Sequence, residues 1–153
     1  MEQQELLARV KEKFGAEVKV LQEPPDLLLE ISREKLVDFA LWLRDDPALN
    51  FDFLVFVTAV DRHDYLEVVY RARSLKFRHE IMFKVKTPAA NPEVPSLTGV
   101  WPAANWDERE VYDLFGVTFT GHPNLKRILL PDDWEGHPLR KSYPVDKRPA
   151  KLY

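Results

Sequence analysis

No cysteine occurs among the 153 residues, so disulfides, zinc ribbons, thiolate-held iron–sulfur clusters and a cysteine nucleophile are all excluded from this chain. Any redox centre it serves is expected on another chain. Glycine is scarce too: the five residues, at 15, 99, 116, 121 and 136, never form GxGxxG or a Walker loop, so the backbone cradle for a dinucleotide or triphosphate is missing. Long apolar runs are also missing. The longest, Phe53 to Val60, includes Thr58 and falls well short of the roughly 18 to 20 residues that cross a bilayer. Met1 to Glu5 open a charged amphipathic stretch without the basic n-region and apolar h-region of a secretory signal. The cytoplasm is therefore the expected compartment, and any membrane attachment is expected to be indirect.

What is present is the composition of a folding chain: 31% charged and 45% hydrophobic residues, in a length that suits one domain with a real core. The net charge of −3 hides an asymmetry. Residues 120 to 153 carry seven Lys and Arg against four Asp and Glu, whereas residues 1 to 119 carry fifteen against twenty-one. A basic end of that size is weak beside the faces of nucleic-acid binders, so nucleic acid is not expected as a partner.

Leu6, Leu7, Val10 and Phe14 recur at helical spacing and Gly15 follows as a stop, which predicts a helix over residues 3 to 14. Val18 and Val20 alternate with charged residues as in an edge strand, and Asp26 to Ile31 predicts a second strand with Ser32 as a helix N-cap. Leu36, Phe39, Ala40 and Leu43 form the stripe of a helix that Pro47 ends. Phe53 to Val60 is apolar on both pleat faces, which predicts the middle strand of a covered sheet. After a turn at Asp61 to Asp64, two alternating stretches, 66 to 73 and 78 to 86, predict an antiparallel meander. Pro88, Pro92 and Pro95 assign residues 87 to 96 to a loop, and Ala103 to Phe115 returns to helical period before Gly116. Pro123, Pro131, Pro138, Pro144 and Pro149 then leave room only for short turns. The expected fold is a single α+β domain, its mainly antiparallel sheet flanked by helices. The expected division is an α+β body, residues 1–119, and an extended Pro-rich segment, residues 120–153, lying on the body and on a partner.

Few residues suggest chemistry. The histidines, at 63, 79, 122 and 137, lack the i+3 or i+4 mate of a helical zinc pair; His63 reads as a solvated turn and His79 as a hydrogen-bonded core residue. Asp45-Asp46 and Asp132-Asp133 are sequence neighbours that point apart, and no serine has a GxSxG context. No catalytic, cofactor-binding or metal-ligating residue is expected. The anomaly is Glu108, which falls between Ala104, Val111 and Phe115 on the apolar stripe of the last helix and so needs an arginine or backbone N–H partner if buried. An internal anchoring role is favoured there over proton chemistry. Arg109 and Asp113 are expected on the opposite side, as an ordinary i,i+4 ion pair. Trp101, Trp106, Tyr112, Phe115, Phe119 and Trp134 gather around this helix, most of them as core, though Trp and Tyr beside Arg also suit a protein interface.

The segment EREVYDLFGVTFTGHPNLKRIL, Glu108 to Leu129, resembles the signature of the 30 kDa subunit family of respiratory complex I, the NADH:quinone oxidoreductase. Glu108, Arg109, Glu110, Asp113, Leu114, Phe115, His122, Lys126, Ile128 and Leu129 stand where that pattern places them, and LLPDDWEGHPLRKSYP, with His137 and Arg140, resembles its continuation. The resemblance covers about residues 30 to 148 and implies structural or partner-contact roles for these residues. It implies a peripheral-arm subunit without a prosthetic group, docked on the 49 kDa-type subunit, on the cytoplasmic side of the cell membrane. Iron–sulfur clusters, FMN and quinone then belong to partner subunits. Many family members continue well beyond this segment, so a compact form of the subunit is expected. Related subunits of ferredoxin- or deazaflavin-dependent dehydrogenases or membrane-bound hydrogenases are the alternative; a free-standing flavin oxidoreductase would need the phosphate-binding elements that are missing.

Overall fold

The spacing of Leu6, Leu7 and Val10 is realised as a helix, α1 (Gln3–Phe14), that buries those residues and ends at Gly15, whose φ of 58° suits a residue without Cβ. The computed structural model describes residues 2–144. Strands β1 (Val18–Gln22) and β2 (Leu28–Ile31) follow as an antiparallel pair. Ser32 was expected to cap the next helix. It precedes instead a single 3-10 turn, Arg33–Lys35, accepts the Lys35 N–H on its backbone carbonyl at 3.1 Å, and makes no side-chain cap. Helix α2 (Leu36–Asp45) then buries Leu36, Phe39, Ala40 and Leu43, the predicted stripe.

Strands β3 (Phe53–Asp61), β4 (Tyr65–Arg73) and β5 (Glu80–Pro88) form the antiparallel meander, and β2 joins β5 in parallel to complete a five-stranded sheet of order β1-β2-β5-β4-β3. The middle strand is β5. The apolar run Phe53–Val60, expected there, lies at the sheet's edge. It reads as doubly covered because Leu54, Val57 and Ala59 face the core, Phe56 and Val60 are half-buried, and only Phe53 and Val55 among its large apolar side chains are exposed. Periodicity reports burial, and burial alone does not rank strands.

The core face carries Leu29, Ile31, Ala59, Leu66, Val68, Tyr70, Ile81, Phe83 and Val85 beneath α1 and α2. Phe39 meets Phe14 and Phe83 edge-on at 5.3 and 5.1 Å, and Tyr70 stacks on Phe83 at 5.1 Å, geometries that aromatic pairs favour. The other face alternates cations and carboxylates: Arg71 and Arg73 share Glu80, Lys84 and Arg62 share Glu67, and Lys86 pairs with Glu30.

Residues expected to form only a loop contain β6 (Glu93–Pro95), which pairs in parallel with β7 (Thr118–Thr120). Between them lies α3 (Ala104–Phe115), anchored at its approach by the Trp101 indole N–H on the Phe51 carbonyl at 2.8 Å. Helix α3 runs beside the sheet edge, where Asp107 accepts the unpaired N–H of Val57 at 3.1 Å. A strand edge that would otherwise present free donors is thereby covered. The remainder of the expected 120–153 extension, from residue 145 on, lies outside the described residues.

Candidate functional site

Helix α3 carries two carboxylates with no exposure at all, Glu108 and Asp113. A carboxylate withdrawn from water costs several kcal/mol unless donors replace its hydration. The two are treated in different ways.

Asp113 is surrounded by donors. Oδ1 accepts from the Arg127 guanidinium at 2.8 Å, and Oδ2 accepts the backbone N–H groups of Ile128, Leu129 and Leu130 at 3.1, 2.7 and 2.9 Å. Burial on its own raises the Asp113 carboxyl, but Arg127 and the three N–H groups together hold it below the usual carboxylate range. The expected exposed pair with Arg109 is therefore not formed. Arg109 instead donates to the carbonyls of Lys126 and Arg127 at 3.2 and 3.1 Å and lies 5.0 Å from the Trp106 ring. The helical wheel sets Asp113 opposite the apolar stripe, and there residues 127–130 enclose its carboxylate.

The same segment caps the helix. The last carbonyls of an α-helix have no partner within it. Here Tyr112 accepts from Gly116 N–H, Asp113 from Arg127 and the His137 Nδ1–H, Leu114 from Leu139 N–H, and Phe115 from Arg140. Two guanidiniums at that end also complement the helix dipole. Gly116, at φ 79°, closes the helix; a Cβ on it would come within 2.6 Å of the His137 ring, so both conformation and contact call for glycine. Arg140 reaches on to the Ala89 carbonyl at 2.9 Å, and Lys141 N–H donates to Asp61 at 2.7 Å. Asp61 also accepts the His63 N–H at 2.8 Å. Burial raises its carboxyl, but the Lys141 and His63 N–H groups, with Arg140 nearby, outweigh that and hold it low.

Glu108 faces the other way, into the body. Oε1 accepts the Ser96 hydroxyl at 2.6 Å and Oε2 the Leu97 N–H at 2.8 Å, so it fastens the segment after β6 to α3. Of the two partners foreseen, backbone N–H and arginine, the first is found, with a hydroxyl beside it. No cation pairs with Glu108 among the described residues. Burial pushes its carboxyl up to about 7; Leu97 and Ser96 offset part of that, and nearby Asp107 adds to it. Burial, with the Glu108 charge, also raises the Tyr70 phenol well above its ordinary value.

Of the signature residues, the structure brings together Asp113, Ile128, Leu129, His137 and Arg140 around the end of α3, with Leu114 and Phe115 supplying carbonyls. His122 sits near the start of the helix, its Nε2–H on the Asn105 carbonyl at 3.1 Å and its Nδ1 accepting Asn124 N–H at 3.0 Å. Lys126 offers its carbonyl to Arg109, and Glu110 is exposed and takes no part in the cluster. Sequence reasoning missed Arg127, Asp61 and Ser96. Arg127 alone left a trace, as half of a basic pair in a chain of acidic balance. His79, expected in the core, is buried with Nε2–H on the Leu49 carbonyl at 2.6 Å. Among the described residues no cluster of three or more His, Asp or Glu could hold a metal ion, and no helix is long and apolar enough to cross a membrane.

Residues 29–149 match the family model described as respiratory-chain NADH dehydrogenase, 30 Kd subunit. The C-type subunit of the NADH-quinone oxidoreductase of Roseiflexus sp. (strain RS-1) is 53% identical over 123 residues, 78% of this chain and 71% of that protein. The same-named protein of Salinispora tropica is 43% identical over 143 residues, 90% of this chain and 58% of that protein. Among solved structures, a trypsin-resistant fragment (1–134) of Nqo5 is similar with a TM-score of 0.66 and 29% identity, over 82% of this chain and all of that one. A chain of the membrane-bound sulfane sulfur reductase, an archaeal respiratory membrane complex, is similar with a TM-score of 0.76 and 27% identity, over 94% of this chain and 86% of that one.

The two carboxylates predict opposite responses. Asp113→Ala leaves Arg127 and three N–H groups without their acceptor and is expected to cost about 3–5 kcal/mol in denaturant unfolding of the purified chain. A loss under about 1 kcal/mol would contradict the cluster's role. Glu108 keeps its proton to a higher pH when folded than when unfolded, so it is neutral to stability below about 4.5 and destabilising as pH climbs from 4.5 to about 7. Glu108→Gln is expected to remove a pH-dependent loss on the order of 3 kcal/mol across that window. Unfolding curves with the same pH slope for both proteins would refute the raised value.

Proposed function

The chain belongs to the 30 kDa subunit family of the respiratory-chain NADH dehydrogenase, and on that premise we propose that it is a non-catalytic peripheral-arm subunit of a proton-translocating NADH:quinone oxidoreductase. Its task is to scaffold the 49 kDa-type subunit that forms the quinone site. Iron–sulfur clusters, FMN and quinone are held by partner subunits, and the chain reaches the cytoplasmic side of the membrane only through the complex.

The observation that carries the reading is how the signature residues are used. Asp113, His137 and Arg140, with Arg127, direct their hydrogen bonds to one another, to the end of α3 and to backbone carbonyls of the adjoining segment and of Ala89. What they achieve is placement. The fastened segment presents Leu129 and Leu139, 60% and 50% exposed, while Arg109 joins residues 126–127 to the 61% exposed Trp106. Exposed Trp and Leu beside an immobilised arginine are the elements of a protein-binding surface.

The likeness to a chain of the sulfane sulfur reductase complex supports the alternative of a related respiratory membrane complex. Relatives at 43–53% identity that are named as NADH-quinone oxidoreductase subunits favour the first reading.

Trp106→Ala combined with Leu129→Ala removes two exposed anchors and leaves the Asp113 cluster in place. With the tagged chain expressed within its complex, recovery of the 49 kDa-type subunit is expected to fall at least about tenfold, the effect of losing roughly 1.4 kcal/mol of binding. The melting temperature of the isolated chain is expected to stay unchanged. Undiminished recovery would overturn the proposed contact.

A further inference from the structure

The turn between β4 and β5, residues 74–79, is built more firmly than a surface hairpin needs to be. Buried Ser74 accepts the Phe77 N–H on its hydroxyl at 3.1 Å and the Arg78 N–H on its carbonyl at 2.8 Å, and donates its own N–H to His79 at 2.9 Å. Asp52 accepts the Leu75 N–H at 3.0 Å, which ties the tip to the start of β3. Beneath it, the His79 ring is held on the Leu49 carbonyl and lies 4.7 Å from Phe51. Arg78 takes a φ of 58°, a left-handed conformation that a non-glycine residue adopts at a cost of about 1 kcal/mol or more.

This fixed backbone presents apolar side chains to solvent. Leu75 is 58% exposed, Phe77 38%, and Phe53, next to Asp52, 45%. A firmly held turn that exposes large apolar groups is unfavourable in an isolated chain and favourable in a bound one, because the ordering entropy is already spent. Basic charge predominates around it, and the Asp52 carboxylate at the tip is engaged by the Leu75 N–H. Residues 71–80 contain four Lys and Arg and a single Glu, and that carboxylate, Glu80, is already held by Arg71 and Arg73. Among the described residues no carboxylate forms an ion pair with Lys76 or Arg78, which leaves their charge to a partner, on a body that is otherwise acidic.

We propose that the β4–β5 tip is a second docking surface, seated in an apolar hollow with an acidic rim on another protein subunit of the complex. The inference rests on reading the chain as a subunit of such an assembly, and it names a contact away from the α3 end. Phe77 sits between the His79 ring at 5.8 Å and the Lys76 ammonium at 5.1 Å. It offers an open flank suited to a shallow protein pocket rather than a side chain free to enter acyl chains.

The test places the photo-crosslinker p-benzoylphenylalanine at Phe77 in the tagged chain, irradiates the purified complex, and maps the products by mass spectrometry. A crosslink into another subunit, at a peptide carrying Asp or Glu, is the expected result. Crosslinks confined to lipid or to a second copy of this chain, or none at all, overturn the inference. Leu75→Ser with Lys76→Glu, both on the exposed tip, is expected to lower recovery of that crosslinked subunit at least about tenfold while the isolated chain melts as before; recovery at the unaltered level overturns it. The arms are separable from the α3 test: loss of recovery in the Trp106/Leu129 variant with normal recovery in the tip variant refutes the tip alone, whereas a chain that joins no complex refutes the reading beneath both.

Discussion

Asp113 is enclosed completely, and its four donors all come from residues 127–130. That one carboxylate converts a proline-interrupted stretch, with no regular element beyond β7 among the described residues, into part of the folded body. Removing either side of such a cluster leaves buried polar groups unpaired, so helix and segment are mutually dependent. The dependence runs outward from there: Arg127 also donates to the carbonyls of Trp134 and Gly136, His137 and Arg140 close the end of α3, and Arg140 and Lys141 carry the chain across to Ala89 and Asp61. The guanidiniums of Arg127 and Arg140 thus meet carboxylates and carbonyls of an acidic body, a complementarity that neither partner shows alone.

Glu108 and Asp113 lie on the same helix with no exposed surface, yet their carboxyls shift in opposite directions: burial dominates at Glu108, which has one N–H and one hydroxyl, whereas Arg127 and three N–H groups outweigh it at Asp113. Glu108 holds β6 and its following residues against α3 with two hydrogen bonds and carries the cost of its charge near neutral pH. Asp113 is stabilised in its charged form. Helix α3 is therefore gripped on two sides, by residues 96–97 through one carboxylate and by residues 127–130 through the other. It also seals the open edge of β3 through Asp107. This arrangement fixes the exposed positions of Trp106, Leu129 and Leu139, on which the proposed scaffold role depends.

The sequence was legible where local periodicity and stop signals coincide. Leu6, Leu7 and Val10 before Gly15, the Leu36 to Leu43 stripe before Pro47, and Ala104 to Phe115 before Gly116 all became helices at nearly the expected bounds. The meander also followed from alternation. What the sequence withheld was neighbour identity. Nothing in Phe53 to Val60 tells that its outer flank meets a helix rather than another strand, and Glu93 to Pro95 is too short to signal pairing with Thr118 to Thr120. The Glu108 anomaly was visible because a single wheel suffices to show it. Asp113 was misread because its covering segment is remote in sequence and irregular, so no periodicity marks it; the family resemblance flagged the residue without supplying its partners.

Whether residues 127–140 belong to the body or merely rest on it is decided by the amides that point at Asp113. Hydrogen–deuterium exchange of Ile128, Leu129 and Leu130 in the purified chain reads this directly, since hydrogen-bonded amides in a cooperative unit exchange only when that unit opens. The account predicts that these three amides are protected and exchange together with those of α3. Exchange at the rate of an unstructured peptide, while α3 stays protected, would contradict it.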